Sequence, residues 1–153
     1  MDWQMFVAES NRIEGILRPP LAIEVAATES FVNREIPTVD CLETLAKTYA
    51  GLRAQLRERE GMGVRVGSYR PPRGGPHIRA RLQQLLKRIE TADPYEFHLQ
   101  YEALHPFIDG NGRTGRVLWA WQMWRTSPEM LELNFLHAFY YQTLAASSRL
   151  DHE

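Results

Sequence analysis

HPFIDGNGRTGR, residues 105–116, is the stretch from which most of the fold and chemistry of this chain can be inferred. It contains an imidazole, His105, and a carboxylate four residues later, Asp109. The remaining groups are glycines that free the backbone and arginines one helical turn apart: Gly110, Gly112, Gly115, Arg113 and Arg116. A purely structural turn does not require this density of reactive groups, so the stretch predicts a phosphate-binding site.

Both flanks of this stretch have apolar residues at helical spacing, in residues 95–104 before it and 117–124 after it. The stretch is therefore expected to be the loop between two helices, with Pro106 ending the first. Asn111 is a suitable N-cap for the second helix. A helix N-terminus carries about half a positive charge and unpaired N–H donors, which predicts a polyphosphate over residues 110–113.

Two other nucleotide-binding motifs share part of this pattern. Residues 110–115 satisfy G-x-G-x-x-G, and Glu132 follows at about the separation of the acidic residue in a dinucleotide fingerprint. That fingerprint needs a preceding strand and a βαβ unit, whereas both flanks here are helical. A Walker A loop needs a lysine after the glycines, and none follows. A capped glycine-rich turn with solvated arginines is the structural alternative.

Residues 105–116 resemble the active-site motif of the Fic family, His-Pro-Phe-x-Asp/Glu-Gly-Asn-Gly-Arg-x-x-Arg, and match each of its fixed positions. His98-x-x-Tyr101 resembles the helix before that motif, and residues 63–76 resemble the target-docking flap. Members of the family are mostly nucleotidyltransferases that transfer AMP from ATP to a hydroxyl group of a target protein. The resemblance implies a mainly α, compact helical bundle with a short β-hairpin flap.

The resemblance also implies a role for each residue of the motif. His105 would be the general base, and Asp109 would hold Mg²⁺. The phosphates of the nucleotide would be bound by Gly110, Asn111, Gly112, Arg113, Gly115 and Arg116. An extended target segment would be held at the flap by Val64, Arg65, Val66 and Gly67.

The chemistry of these groups agrees with those roles. An unperturbed histidine titrates near about pH 6.5, so a neutral His105 can accept a proton, a role worth roughly 10²–10⁴-fold in rate. One carboxylate, Asp109, is sufficient for Mg²⁺ where the nucleotide and water supply the other oxygen ligands. Fixed donors and arginines stabilise the charge that develops during phosphoryl transfer.

Ser10 and Glu14, in the sequence SNRIEG of residues 10–15, lie one turn apart on one face of a predicted helix. We expect that helix over residues 3–17, within an N-terminal segment 1–18. The pattern resembles the inhibitory motif of the Fic family, Ser/Thr-x-x-x-Glu-Gly/Asn. This resemblance implies that Glu14 pairs with Arg116 and keeps it from the γ-phosphate; the alternative is an ordinary solvated face.

The rest of the chain is predicted to be helical, except for one segment. A helix over residues 21–32 is expected to face the core with Ile23, Ala26, Ala27 and Phe31. A helix capped by Thr38 is expected to continue to Leu56. The alternating sequence of residues 64–69 predicts a strand of a small β-hairpin.

The clearest amphipathic helix includes Ile78, Leu82, Leu85, Leu86 and Ile89. Asp93-Pro94 predicts the start of the next helix, and Ser127-Pro128 a break before a final helix over residues 131–144. Three tryptophans are expected in the core or at an interface: Trp119, Trp121 and Trp124.

Length and composition are those of one globular domain spanning residues 1–153, with 44% hydrophobic and 24% charged residues. Cys41 is the only cysteine, which excludes an intrachain disulfide and fits a reducing compartment. There is no signal-peptide pattern and no apolar run of about 18 residues. We therefore expect a cytoplasmic protein with no membrane segment.

The net charge of −1 conceals a basic block. Residues 51–90 carry 10 basic and 3 acidic side chains, whereas the segments on either side are each acidic. Such a block can contact nucleic acid. Because no aromatic residues interleave with the arginines as in known nucleic-acid modules, the arginines are better interpreted as lining a site for a nucleotide or an acidic target, or as solvated residues on helix faces.

These observations lead to one functional hypothesis and several alternatives. The protein is expected to transfer AMP from Mg·ATP to a Ser, Thr or Tyr hydroxyl of a target protein, with Glu14 inhibiting in cis. The same site could remove AMP from a modified protein, with Glu14 orienting water. A nucleotide-sensing module and a nucleic-acid-binding module are the non-enzymatic alternatives. A UTP or GTP donor and a homo-oligomer are also compatible with the sequence.

Overall fold

Six α-helices account for most of residues 1–132, the part of the chain that the computed structural model describes. They are α1 Trp3–Ile13, α2 Ala22–Val32, α3 Val39–Ala50, α4 Pro76–Lys87, α5 Pro94–Leu104 and α6 Asn111–Thr126. Two short 3-10 helices, Gly51–Arg53 and Pro128–Leu131, follow α3 and α6. No β-sheet forms within this range, so the prediction of a mainly α fold is confirmed there.

The final helix predicted over residues 131–144 lies outside the described residues, apart from its first two positions. None of the helices in residues 1–132 combines the length and the apolar character needed to cross a bilayer.

α6 lies at the centre of the molecule and packs against α1, α2, α3 and α5. Its middle is buried on all sides, including Trp119 and Trp121, as expected for a helix surrounded by other helices. Trp124 lies at the exposed end, where its ring packs edge-on against Trp3 of α1 with centroids 5.8 Å apart. Since α6 begins directly after the glycine-rich loop, the loop is anchored to the centre of the fold.

Local sequence signals account for the starts of three helices. Asp2 accepts a hydrogen bond from the N–H of Met5 at 3.0 Å, which caps α1. Thr38 caps α3 by accepting from the N–H of Cys41 at 3.2 Å. The predicted start of α5 is confirmed, because Asp93 accepts from two N–H groups of the first turn.

α4 buries the predicted apolar face: Ile78, Leu82, Leu85 and Leu86.

The buried face of α2 is not the one that its apolar residues predict. Two residues expected in the core are exposed: Ile23 and Ala26. Glu24 and Thr28 are buried instead. Their burial is tolerated because both are bonded: Glu24 pairs with Arg18 at 2.9 Å, and the Thr28 hydroxyl bonds the Tyr49 hydroxyl.

Two helices end earlier than predicted, each close to a glycine in the left-handed region. α1 ends at Ile13, and Gly15 has φ +75°. α3 ends at Ala50, and Gly51 has φ +61°. A residue in this conformation terminates a helix, and glycine adopts it without steric penalty. Leu52, predicted to lie on a buried helical face, is therefore 93% exposed.

The predicted β-hairpin of residues 63–76 does not form. Val66 and Tyr69 make one isolated antiparallel bridge, with two N–H···O bonds of 2.9 Å around Gly67 at φ +60°. The ladder cannot continue because the prolines at 71–72 have no N–H to donate. The flap is thus an irregular loop, and the strand prediction was wrong for its four named residues: Val64, Arg65, Val66 and Gly67.

Candidate active site

His105 ends α5 and begins the glycine-rich loop. Its N–H donates to the carbonyl of Tyr101 at 3.0 Å, and its backbone lies in the left-handed region with φ +49°. No other non-glycine residue within residues 1–132 has a positive φ. Such a conformation is costly for a residue with a Cβ and persists only where the surroundings hold it. The surrounding contacts therefore hold the backbone of His105 in this conformation.

Asn111 holds the loop closed from inside. Its side-chain oxygen accepts from the N–H of Phe107 at 2.9 Å, and its side-chain amide donates to the Phe107 carbonyl at 2.8 Å. The N-cap of α6 is therefore Gly110, with φ +91°, and the prediction that Asn111 caps the helix was wrong. Asn111 is buried as the first helical residue, because pairing with one backbone unit satisfies both ends of its amide.

Asp109 is half-buried beside this turn. One of its carboxylate oxygens accepts from the N–H of Gly110 at 2.7 Å. Within residues 1–132 no group of three or more His, Cys, Asp or Glu side chains could hold a metal ion by itself. A hard cation at Asp109 would therefore take most of its oxygen ligands from a bound phosphate compound and water, as Mg²⁺ commonly does.

The pKa of His105 is lowered to about 4, chiefly because burial disfavours the charged imidazolium. The nearby guanidinium of Arg57 lowers it further, and the carboxylate of Asp109 opposes this in part. This pKa lies below the ordinary value of a histidine, near 6.5. At neutral pH the ring is uncharged, which is the form that can accept a proton.

Arg116 joins α6 to the N-terminal helix α1. Its side chain is buried and donates to the carboxylate of Glu14 and to the hydroxyl of Ser10, each at 2.7 Å. A third bond, of 3.0 Å, reaches the backbone carbonyl of Ser10. The structure thus brings together the two N-terminal residues singled out in the sequence and the last arginine of the loop.

The carboxylate of Glu14 lies against the first turn of α6. A Cβ added to Gly112 would be 2.5 Å from its Oε1 atom, so only glycine allows this approach. A negative group at a helix N-terminus is favoured by the helix dipole and the unpaired N–H groups. The predicted phosphate position thus already holds an anionic group of the protein itself.

Arg113 differs from Arg116 in its surroundings. It is buried, with its guanidinium carbon 5.3 Å from the ring centroid of Tyr49. Two of its nitrogens, Nε and Nη1, have no hydrogen-bond partner among residues 1–132. A buried guanidinium with unused donors is costly without a ligand, so Arg113 is the side chain best prepared to receive an anion.

Gly115, predicted to bind phosphate, faces a neighbouring helix at close range instead. A Cβ there would be 2.8 Å from a carboxylate oxygen of Glu102 and 3.1 Å from the ring of Tyr101, both on α5. The Tyr101 hydroxyl bonds the Thr114 hydroxyl at 2.6 Å, which keeps the ring in place. Gly115 therefore allows α5 and α6 to approach closely.

The flap is tied to α5 next to the loop. The Tyr69 hydroxyl donates to the carbonyl of Ala103 at 2.9 Å. Beside this bond lies a groove of about 380 Å³, lined by Pro72 of the flap, by Arg81 of α4 and by Arg88 directly after α4. Its lining within residues 1–132 contains no acidic side chain, so the groove is suited to a polar or acidic segment.

Arg57 is a residue of this site that the sequence did not reveal. It is fully buried, and its guanidinium donates to the carbonyls of Leu104 and His105. In the sequence it is one of many arginines of the basic block, with no motif around it. Its partners are 47 and 48 residues away, and a long-range contact of this kind leaves no local pattern.

Within residues 1–132 the fold and the site define a class of protein: a helical structure in which a buried helix starts at a glycine-rich loop beside a histidine. Comparison with protein-family models matches residues 37–123 to the Fic/DOC family. The match covers more than half of the chain, which therefore belongs to the Fic/DOC family. It includes the flap and the loop, whereas Ser10 and Glu14 precede it. Members of this family are commonly transferases.

Proposed function

We propose that this protein transfers AMP from Mg·ATP to a hydroxyl group of a Ser, Thr or Tyr residue in a target protein. The observation that carries the proposal is the position of a neutral His105 beside a helix N-terminus that Arg113 and Arg116 flank. His105 can accept a proton, and the helix N-terminus with Arg113 and Arg116 can bind a polyphosphate. Family membership supports transferase chemistry.

His105 acts on the attacking hydroxyl. As the hydroxyl oxygen forms a bond to the α-phosphorus, its proton passes to the neutral imidazole. The bond between the α-phosphorus and the oxygen bridging to the β-phosphate breaks, and pyrophosphate leaves. The lowered pKa of His105 keeps the ring in its accepting form at neutral pH, although it makes the ring a weaker base.

The phosphates are bound at the start of α6. Backbone N–H groups near Gly112 and the guanidinium of Arg113 offer donors to the anion, and Arg116 would serve the γ-phosphate. Asp109 would hold Mg²⁺, which when bound neutralises part of the phosphate charge. Mg²⁺ prefers oxygen ligands, and the carboxylate of Asp109 supplies them, so this residue fits the ion.

Glu14 is proposed to inhibit the reaction in cis. Its carboxylate is bonded to Arg116 and lies against Gly112, so it occupies the region proposed for the outer phosphates. ATP would then bind with its α-phosphate poorly aligned for attack. Displacement of the Glu14 carboxylate would give Arg116 to the nucleotide and raise the rate.

The exposed fraction of Glu14, 38%, favours one second candidate. A half-exposed carboxylate beside the loop can orient a water molecule, which would hydrolyse AMP from a modified protein at the same site.

Labelled ATP tests the proposal. The Glu14→Gly protein is incubated with a cell lysate and either [α-³²P]ATP or [γ-³²P]ATP, with His105→Ala as the matched control. Transfer of AMP puts the α label on a protein band and leaves the γ label in pyrophosphate. A γ-labelled band would mean phosphoryl transfer, and no label from either would contradict the proposal. Release of AMP from a previously labelled band by the wild-type chain would identify the second candidate.

A further inference from the structure

Arg57 is a fully buried arginine, and its hydrogen-bond acceptors in the described part of the chain are all backbone carbonyl groups. Its Nε donates to the carbonyl of His105 at 2.7 Å, and its Nη2 to that of Leu104 at 2.9 Å. Its Nη1 donates to the carbonyls of Met62 at 3.1 Å and Pro72 at 2.7 Å. One planar group thus contacts the loop before α6 on one side and the flap on the other.

The backbone of Arg57 extends the same connection. Its N–H donates to the carbonyl of Pro106 at 2.8 Å, and its carbonyl accepts from the N–H of Gly75 at 2.9 Å. The neighbouring Leu56 and Phe107 form an antiparallel bridge. The two ends of the flap and the first residues of the loop are therefore fastened at a single residue.

We infer that Arg57 is a positioning residue that couples the flap to His105, so that a target segment bound at the flap is sensed by the backbone that orients the imidazole. The inference rests on the proposed function, in which His105 accepts the proton and the flap holds the target. The inference adds Arg57 as the residue through which binding of the target affects proton acceptance by His105.

Two properties make this connection stiff. A guanidinium presents its donors in a fixed plane, so moving one of the carbonyls weakens its bond or rotates the whole group. The charge is buried, and no carboxylate of residues 1–132 is bonded to it, so each lost carbonyl bond is expensive. His105 is the residue most sensitive to such a shift, since its left-handed backbone depends on surrounding contacts.

Arg57→Lys is the informative substitution, because it keeps the positive charge and loses the planar fork. Arg59→Lys is the matched control, since Arg59 is exposed and lies two residues away. Both are made in the Glu14→Gly protein. We expect Arg57→Lys to lower kcat for target modification by about 10–100-fold, as for a misplaced reacting group. The Kd for Mg·ATP should stay within about twofold, because no phosphate-binding group is changed. Equal losses of kcat and nucleotide affinity, or an unchanged kcat, would overturn the inference.

A second measurement does not depend on turnover and so separates this inference from the proposed function. The imidazole NMR signals of His105, assigned with His105→Ala, are compared with and without Val66→Pro, which removes the flap N–H bonded to Tyr69. The flap substitution should shift the His105 signals in the parent protein and leave them nearly unchanged in Arg57→Lys. Equal shifts in both proteins would show that Arg57 does not transmit the change.

If Arg57→Lys does not fold, hydrogen exchange in the chain with Arg57 intact decides the question. Val66→Pro should then speed exchange of the N–H groups of Gly75 and His105, which lie on the two sides of Arg57. The buried α4 amide of Leu82 is the internal reference. Unchanged exchange at His105 would overturn the inference.

Discussion

Burial and a neighbouring cation act together on the imidazole of His105. Its pKa of about 4 lies below the ordinary value near 6.5, so the folded state binds the proton less tightly than the unfolded chain does. The contribution of His105 to stability is therefore present above about pH 6.5 and is lost as the pH falls toward 4. Such an imidazole is uncharged at neutral pH and so is available to accept a proton, but it holds that proton less tightly. This suits a reaction in which the charges on the phosphates are neutralised by other groups.

Titration of His105 by NMR should give a midpoint at a pH of about 4 in the absence of nucleotide. The same nucleus in urea-unfolded protein should titrate near about 6.5 and is the control. A folded midpoint at 6.5 would mean that the ring is solvated, and the burial argument would then fail.

Substitution of His105 separates proton transfer from phosphate binding. His105→Ala in the Glu14→Gly protein should reduce α-³²P incorporation by at least roughly 10²-fold, since proton transfer is worth roughly 10²–10⁴-fold. The calorimetric Kd for Mg·ATP should remain within about twofold, because the imidazole contacts no phosphate in the proposed mechanism. A large loss of affinity would instead assign His105 to nucleotide binding.

At the scale of elements, α5 and α6 approach so closely that a methyl group is too large at Gly115. Gly115→Ala should lower the free energy of unfolding by about 1–2 kcal/mol, since overpacking costs more than the gain in helix propensity. Denaturant unfolding measures this difference. Gly63→Ala is the matched control, because no atom lies within 4 Å of its added Cβ and no loss is expected. Equal stability of both variants would show that Tyr101 moves aside easily.

The second prediction at this scale concerns the contact between α1 and α6. Glu14→Gly should raise AMP transfer strongly, because Arg116 then loses its ion pair with Glu14. Arg116→Ala in addition should return the rate to a low value, since releasing an arginine matters only when the arginine is present. Incorporation of α-³²P by the wild type and the two variants at equal concentration is the measurement. A folded Glu14→Gly protein no faster than wild type would make α1 an ordinary packing element.

The elements also show which features a sequence pattern can predict. α4 and the start of α5 follow from apolar spacing and from Asp93-Pro94, which are local signals. The inward face of α2 does not, because Glu24 is buried by a partner, Arg18, that periodicity cannot reveal. In the flap, alternation suggested pairing, whereas the following prolines leave too few donors for a ladder.

The same division applies to the site. The identity of the loop was readable because its groups are contiguous, and the separation of Ser10 from Glu14 by one turn was readable from helical geometry. The pairing of Asn111 with the backbone of Phe107 spans only four residues, but the residue type alone assigned Asn111 to a helix cap. The carbonyl contacts of Arg57 span 47 and 48 residues and depend on how the chain closes on itself, so no local pattern reveals them.

For the whole molecule, nucleotide binding should compensate for the loss of Glu14. Removing that carboxylate deprives a buried guanidinium of a partner, at a cost of roughly 1–3 kcal/mol. Mg·ATP at about 100 times its Kd adds about 2.7 kcal/mol to the stability of either protein. We expect Glu14→Gly to melt lower than wild type and to gain more in Tm at a fixed Mg·ATP concentration, because its Kd is lower. Calorimetry in the His105→Ala background prevents turnover during the scan. Identical gains would mean that Glu14 and ATP do not compete.

The edge-on contact between Trp3 of α1 and Trp124 of α6 gives the molecule an optical reporter of its own. Trp3 is only 6% exposed, so departure of α1 would bring its indole into water and move its fluorescence emission to longer wavelength. Trp119 and Trp121 are deep in the core and would supply a constant background. A release of inhibition that moves α1 would thus be visible in real time in an unlabelled protein, as a shift of the emission wavelength at the far end of the two helices beside Glu14 and Arg116.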